Sequence, residues 1–177
     1  MSTEMMLSLV PGKIYRIDRG GPESRIGRLV SVKSDYFTVL TQEDDLVFYQ
    51  PHHIKSITEN TNQGFQLNSD FPSNLKFRAP RCFNSVLDCL VNYQVKVNRG
   101  GKESVEGRLE SVRNGFITIS SNDESIRISL FHIRNISYEM NQGRRGKEES
   151  GNKRESKNKQ ESRGQARNRN RDRKKNR

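Results

Sequence analysis

The sequence is poor in the residues that build disulfide scaffolds and membrane spans. Its 177 residues include two cysteines and no tryptophan. Two cysteines are too few for a disulfide-rich secreted domain, and no apolar run approaches the roughly 18 residues of a membrane span. The apolar stretch 5–10 follows Glu4, whereas a signal peptide begins with basic residues. We therefore expect the protein to stay in the cytosol of the cell that makes it.

Residues and motifs of catalytic sites are also scarce. The sequence contains no CxxC, HExxH, Walker or GxSxG motif. The three histidines are His52, His53 and His132. His52 and His53 are neighbours, so on a strand they would point to opposite faces and would not share a metal ion. We predict that the protein is not an enzyme and has neither a cofactor nor a metal site.

The two cysteines, Cys82 and Cys89, lie seven residues apart. On one helix their Cα atoms would be about 10 Å apart, which exceeds the roughly 4.4–6.8 Å that a disulfide bond spans. Either cysteine remains a candidate for a cross-link between chains. We expect Cys89 to be a buried thiol beside Leu90, and Cys82 to be the better cross-linking candidate.

Apolar residues are too few to bury the whole chain in one core, at 31% of the sequence. Residues 141–177 contain 15 Lys/Arg and five Asp/Glu, which is +10 of the total charge of +11. Their only hydrophobic residue, Ala166, cannot offset an ordering cost of about 1–2 kcal/mol per residue. We predict a disordered basic tail that binds polyanions or acidic proteins; a solubilising tail without a specific partner is the alternative. The candidate polyanion-binding residues are Arg144, Arg145, Lys153, Arg154, Arg167, Arg169, Arg171, Arg173, Lys174 and Lys175.

The rest of the chain contains an internal repeat. Residues 19–24 (RGGPES) recur 80 residues later as 99–104 (RGGKES). Residues 53–57 (HIKSI) match 132–136 (HIRNI) at an offset of 79, so one residue is lost in between. This density of matches indicates duplication of one module. Further pairs at the offset of 80 are Gly27-Arg28-Leu29 with Gly107-Arg108-Leu109, Ser31-Val32 with Ser111-Val112, and Thr38 with Thr118.

Each copy has the pattern of short β-strands. Tyr93, Val95 and Val97 alternate with polar residues, which gives a strand one apolar face. Val112 breaks the phase that Leu109 keeps, and the first copy has the same break, so we predict a bulge in each second strand. Five short strands in about 45 residues predict a small closed barrel, since closure removes sheet edges.

One stretch has helical periodicity. Its apolar residues recur with spacings of three and four and are Phe83, Val86, Leu87, Leu90 and Val91. This spacing predicts a short amphipathic helix that covers an end of the second barrel. The predicted architecture is all-β: a first β-barrel module at 1–60, a polar linker at 61–81, the helix and second β-barrel module at 82–140, and the basic tail at 141–177.

The Arg-Gly-Gly segments read as single turns between strands, because RGG boxes that bind RNA are repeated within disordered tracts. We predict that Arg19 and Arg99 donate hydrogen bonds to carboxylates of a neighbouring chain, and that Glu23 and Glu103 accept them. The candidate assembly residues are Arg19, Gly20, Gly21, Glu23, His53, Arg99, Gly100, Gly101, Glu103 and His132.

The strand order and the glycine-centred pattern resemble those of Sm-like barrels, which implies that the two tandem barrels are of the Sm-like/SH3-like kind. Residues 27–32 and 107–112 are similar to the first Sm motif, and 53–57 is similar to the closing motif of bacterial Sm-like RNA chaperones. Lys33 and Arg113 stand where that motif has an aspartate, and the base-binding asparagine has no counterpart. The resemblance therefore implies the fold and does not support an RNA pocket.

The RGGPES-type modules resemble the spore coat protein B family of endospore-forming bacilli. The similarity covers roughly residues 10–60 and 90–140, and the family also ends in a basic low-complexity tail. It implies a non-enzymatic structural component of the outer spore coat, made in the mother-cell cytoplasm. It also implies other coat proteins as partners, acidic ones through the tail, and self-assembly.

This chain departs from the longer members of that family. Those have three modules and Ser/Lys/Arg-rich tails that a coat kinase phosphorylates. Here the tail has only Ser150, Ser156 and Ser162, so we expect phosphorylation to be minor. The alternative function is an Sm-like nucleic-acid-binding protein that uses the basic tail. Because the modules are nearly neutral and no aromatic residue interrupts the basic run, we expect only non-specific binding of nucleic acid.

Overall fold

The computed structural model describes residues 6, 8–41, 45–59 and 78–139. Most of the predicted linker and the whole predicted tail, with its basic residues and three serines, lie outside the described residues. The described part is mostly β-sheet with one short α-helix, as predicted for an all-β protein. It holds no helix long and apolar enough to cross a membrane.

Ten strands and one helix follow one another along the described residues. They are β1 Ile14–Ile17, β2 Arg25–Val32, β3 Phe37–Thr41, β4 Asp45–Tyr49, β5 Ile57–Glu59, α1 Phe83–Cys89, β6 Gln94–Val97, β7 Val105–Arg113, β8 Phe116–Ser121, β9 Glu124–Ser129 and β10 Asn135–Glu139. Short 3-10 turns at Pro51–His53 and Leu130–His132 precede β5 and β10.

All ten strands belong to one antiparallel sheet. Its order is β5-β1-β2-β3-β4-β10-β6-β7-β8-β9, so each set of five strands has the same internal order. The expectation of two closed barrels is wrong, because the sheet is open. The outer edge of β4 pairs with β10, with Tyr49 opposite Asn135, and is therefore not available to close against β5.

The predicted bulges are present in β2 and β7. The register against the next strand shifts between Leu29 and Ser31 in one module and between Leu109 and Ser111 in the other. In the first module, Gly27 allows the close approach that the bend requires, since a Cβ there would overlap Val39 on β3.

Two apolar clusters form the core. One lies within the first module and includes Tyr15, Ile17, Leu29, Phe37, Val39, Val47 and Tyr49. The other combines α1 with strands of both modules and includes Leu40, Leu46, Phe48, Val86, Leu87, Val95, Leu109, Ile117 and Ile136. The hairpin of β3 and β4 contributes to both clusters, so it is buried on both faces.

Helix α1 lies where its periodicity predicts, and it does more than cover the second module. Phe83 and Leu87 are buried in the cluster that also contains Tyr36 of the first module. The Phe83 backbone N–H donates to Asp35 Oδ2 over 2.9 Å, and Tyr36 Oη donates to the carbonyl of Pro80 over 2.7 Å. The helix therefore joins the two modules.

Candidate assembly interface

The junction between the modules centres on the antiparallel pair of β4 and β10. Phe48 lies opposite Ile136, and Leu46 lies opposite Tyr138. The rings of Phe48 and Tyr138 stack with centroids 6.4 Å apart and planes 9° apart. Both strands present apolar side chains here, so main-chain hydrogen bonds and apolar packing act together at this seam.

A carboxylate from the first module anchors the polar rim of the junction. Glu23 accepts a hydrogen bond from Arg134 Nη1 over 2.5 Å and one from Lys55 Nζ over 3.2 Å. The hydrogen bond from Arg134 holds the pKa of Glu23 below its ordinary value of 4.5, against the opposing effect of burial. Arg134 also donates through Nη2 to the carbonyl of Arg99 over 2.7 Å. The predicted acceptor Glu23 thus links modules within one chain.

The two Arg-Gly-Gly turns share a conformation but differ in surroundings. Gly20 has φ +77° and Gly100 has φ +81°, a region that favours glycine. A Cβ at Gly100 would overlap the carbonyl oxygen of Pro22, whereas a Cβ at Gly20 would have no atom of the described residues within 4 Å. The second turn therefore packs against the first module, and the first turn faces open space.

The arginines of these turns differ in the same way. Arg99 is only 8% exposed, and its backbone N–H donates to Asn135 Oδ1 over 3.1 Å. Arg19, its counterpart, is exposed. Among the other predicted residues, Gly101 lies close to Glu23, while Gly21 and Glu103 are exposed.

The histidines lie at the junction on 3-10 turns. The rings of His52 and His53 are 4.1 Å apart, so the expectation that they point to opposite faces is wrong; they belong to a turn and not to a strand. His53 Nε2 lies 2.6 Å from the carbonyl oxygen of Phe131 in the other module. His132 is exposed, and its own carbonyl accepts a hydrogen bond from Asn98. No group of three metal-ligating side chains occurs within the described ranges.

The sequence analysis missed a pair of residues that bind the backbone just before β5 and β10. Asp18 and Asn98 both have positive φ, at 56° and 53°. Asp18 Oδ1 accepts from the N–H of Lys55 over 2.8 Å, and Asn98 Oδ1 accepts from the N–H of Arg134 over 2.7 Å. The signal was present, because Asp or Asn stands directly before both Arg-Gly-Gly turns and these residues tolerate left-handed backbone.

Neither cysteine forms a disulfide bond. Cys89 is exposed, so the expectation of a buried thiol is wrong: it lies off the apolar stripe of α1. Cys82 is half-buried, with its Sγ 3.2 Å from Ser85 Oγ, and this hydrogen bond lowers the pKa of its thiol. A cross-link through either cysteine stays a prediction.

Comparison with known proteins identifies one informative relative. No family model matches the chain, and no solved structure matches it significantly. Spore coat protein B of Bacillus subtilis (strain 168) is 37% identical to it over 122 residues. That match covers 69% of this chain and 31% of the relative, so the chain spans less than a third of the relative's length.

Proposed function

We propose that the chain is a non-enzymatic structural component of the outer endospore coat. The observation that carries this proposal is the sequence similarity to Spore coat protein B, which supports localisation to the spore coat. Under this proposal the protein is made in the mother-cell cytoplasm and deposited on the forespore. Its partners are other coat proteins.

The two modules provide the structural part of this role. Their joined ten-stranded sheet, with α1 packed against strands of both, buries mainly apolar side chains. We infer that this body packs into a coat layer through the sheet edges and turns that face outwards, including the exposed Arg19 and Glu103.

The basic segment 141–177 provides the electrostatic part. Its net charge of +10 contrasts with +1 on the rest of the chain, so an acidic coat protein would be attracted to this segment above all. Phosphorylation of Ser150, Ser156 or Ser162 would reduce that positive charge. We infer a tether to acidic coat partners, with phosphorylation by a coat kinase as a minor adjustment.

A fluorescent fusion in sporulating cells tests the location. We expect a ring around the forespore, and the protein should be recovered with purified spores after salt washes. A diffuse signal, or absence from the coat fraction, would contradict the proposal.

A nucleoid signal would instead favour a nucleic-acid-binding protein, and removal of residues 141–177 would then show whether any base preference lies in the modules. Binding of RNA at low salt alone does not discriminate, because any segment this basic binds polyanions.

A further inference from the structure

We propose that copies of this chain join head to tail, with β9 of one copy adding to β5 of the next copy. The inference deepens the structural role proposed above and rests on it only for its place in the coat. Its basis is the internal repeat: the two end strands of the sheet correspond to the two strands that join the modules, and no other described strand pairs with their outer edges.

The two ends of the sheet correspond to the two sides of the internal junction. By the repeat offset of 79, β9 is the counterpart of β4 and β5 is the counterpart of β10. In the chain, β4 pairs with β10. β5 and β9 are the outermost strands, and within the described ranges neither has a strand on its outer side. Unpaired edges of this kind are templates for strand addition.

The internal junction also fixes the expected register between copies. Val47 lies opposite Ser137 in the β4–β10 pair, and their counterparts are Ile126 and Thr58. Strand addition in this register therefore places Thr58 of one copy opposite Ile126 of the other. It also places Glu59 opposite Ser125 and Ile57 opposite Arg127.

Charge complementarity supports this pairing. Phe48 and Tyr138 stack across the internal junction, and their counterparts at the free edges are Arg127 and Glu59. The positions that hold an aromatic stack within the chain therefore hold an opposite-charge pair between chains. Arg127 is exposed on β9, and Glu59 lies on β5, where it is paired with Lys13. The incoming arginine would extend that pair to a group of three alternating charges.

Residues near the two end strands of the sheet are exposed to solvent, whereas the corresponding residues at the internal junction are more buried. Phe116 is 47% exposed, whereas Tyr36 at the corresponding position is fully buried. Gly20 faces open space, whereas Gly100 packs against the other module. In the same way, Glu103 of one copy would accept from Lys55 of the next, as Glu23 accepts from Arg134 within the chain.

The composition of β8 and β9 makes the joint between copies weaker than the joint within a chain. Leu40 and Leu46 are buried at the internal junction, and their counterparts are Ser120 and Ser125. Ionic contacts replace part of the apolar packing, and salt screens such contacts. We therefore expect association that is reversible, dependent on concentration and weakened by salt.

Sedimentation velocity of the purified full chain tests the proposal. We expect oligomers that grow with concentration at about 0.05 M salt and dissociate at about 1 M, where the screening length falls to about 3 Å. Arg127→Glu and Glu59→Arg should each weaken association about tenfold or more through like-charge contacts, and the double exchange should restore it. Arg81→Glu, an exposed site before α1, is the matched control and should leave association unchanged.

Engineered cysteines test the register in a chain whose Cys82 and Cys89 are replaced by serine. Thr58→Cys with Ile126→Cys should give a ladder of disulfide-linked chains under mild oxidation by diamide, since opposed Cα atoms lie about 4.5–5.5 Å apart. Thr58→Cys with Ile128→Cys is the control, because diagonal residues lie about 7–8 Å apart. Monomers at every concentration, or equal ladders from both pairs, would overturn the proposal.

The two proposals fail in distinguishable ways. A chain that forms these oligomers but is absent from purified spores contradicts the coat function and leaves the strand pairing intact. A chain that sediments only as a monomer while its fusion rings the forespore contradicts the strand pairing and leaves the coat function intact.

Discussion

At the scale of single residues, the internal repeat provides pairs of corresponding positions whose surroundings differ. Glu23 and Glu103 occupy the same position in the two modules, yet Glu23 bonds to Arg134 and Glu103 is exposed. Gly20 and Gly100 share a backbone conformation, yet only Gly100 packs against the other module. Differences between such paired positions report the contribution of the junction, because the local sequences are similar and the strand order is the same.

Replacing Glu23 by Gln should destabilise the fold by about 1 kcal/mol at neutral pH, through loss of its ion pairs. The folded protein holds the pKa of Glu23 below 4.5, so its contribution is present above pH 4.5 and is lost as the pH falls through the lowered pKa. Urea unfolding at neutral and acid pH measures this. Glu103→Gln is the control and should change stability by less than about 0.5 kcal/mol. An equal loss from both variants, or a loss for Glu23→Gln that persists in acid, would contradict the prediction.

At the scale of elements, α1 is the helix that packs against both modules. Leu87→Ala should cost about 2–5 kcal/mol, because Leu87 is fully buried in the cluster shared by the two modules. Asp88→Ala, on the exposed side of the same helix, is the control and should change stability by less than about 0.5 kcal/mol. Chemical denaturation measures both; a small effect of Leu87→Ala would show that α1 is not a shared core element.

The sequence was sufficient to predict the strands and the helix, but it was not sufficient to predict that the sheet stays open. Alternation located strands such as β6, the phase break located the bulges, and three-four spacing located α1. Period-two patterns do not say which strand lies beside which, so the pairing of β4 with β10 was missed. A signal existed: residues 46–49 are continuously apolar, which is typical of a strand buried on both faces, whereas 125–128 alternate.

The candidate site was foreseen only in part, for a similar reason. The repeat pointed to Glu23 and to the Arg-Gly-Gly turns, because identical residues recur at a constant offset. It could not show that one copy of each motif lies at an internal junction while the other faces outwards. That difference depends on contacts between residues far apart in the sequence, such as Arg134 with Glu23.

At the scale of the whole molecule, the shared sheet and α1 lead us to expect that the two modules unfold as one unit. The absence of tryptophan allows a direct test, because Val10→Trp and Tyr93→Trp would each report one module from an exposed position. Both variants should give the same fluorescence midpoint in urea, as a two-state unit requires. Two separate midpoints, in variants whose circular dichroism transition matches that of the unchanged chain, would show that the modules unfold independently.

The hairpins of the two modules differ in how much surface they leave for water. The hairpin of β3 and β4 is buried on both faces, whereas that of β8 and β9 has one polar face. Antiparallel strands with one polar face are stable with that face in water. A hairpin like that of β3 and β4 therefore needs a neighbouring module to cover its second face, and a hairpin like that of β8 and β9 tolerates either a neighbour or solvent there.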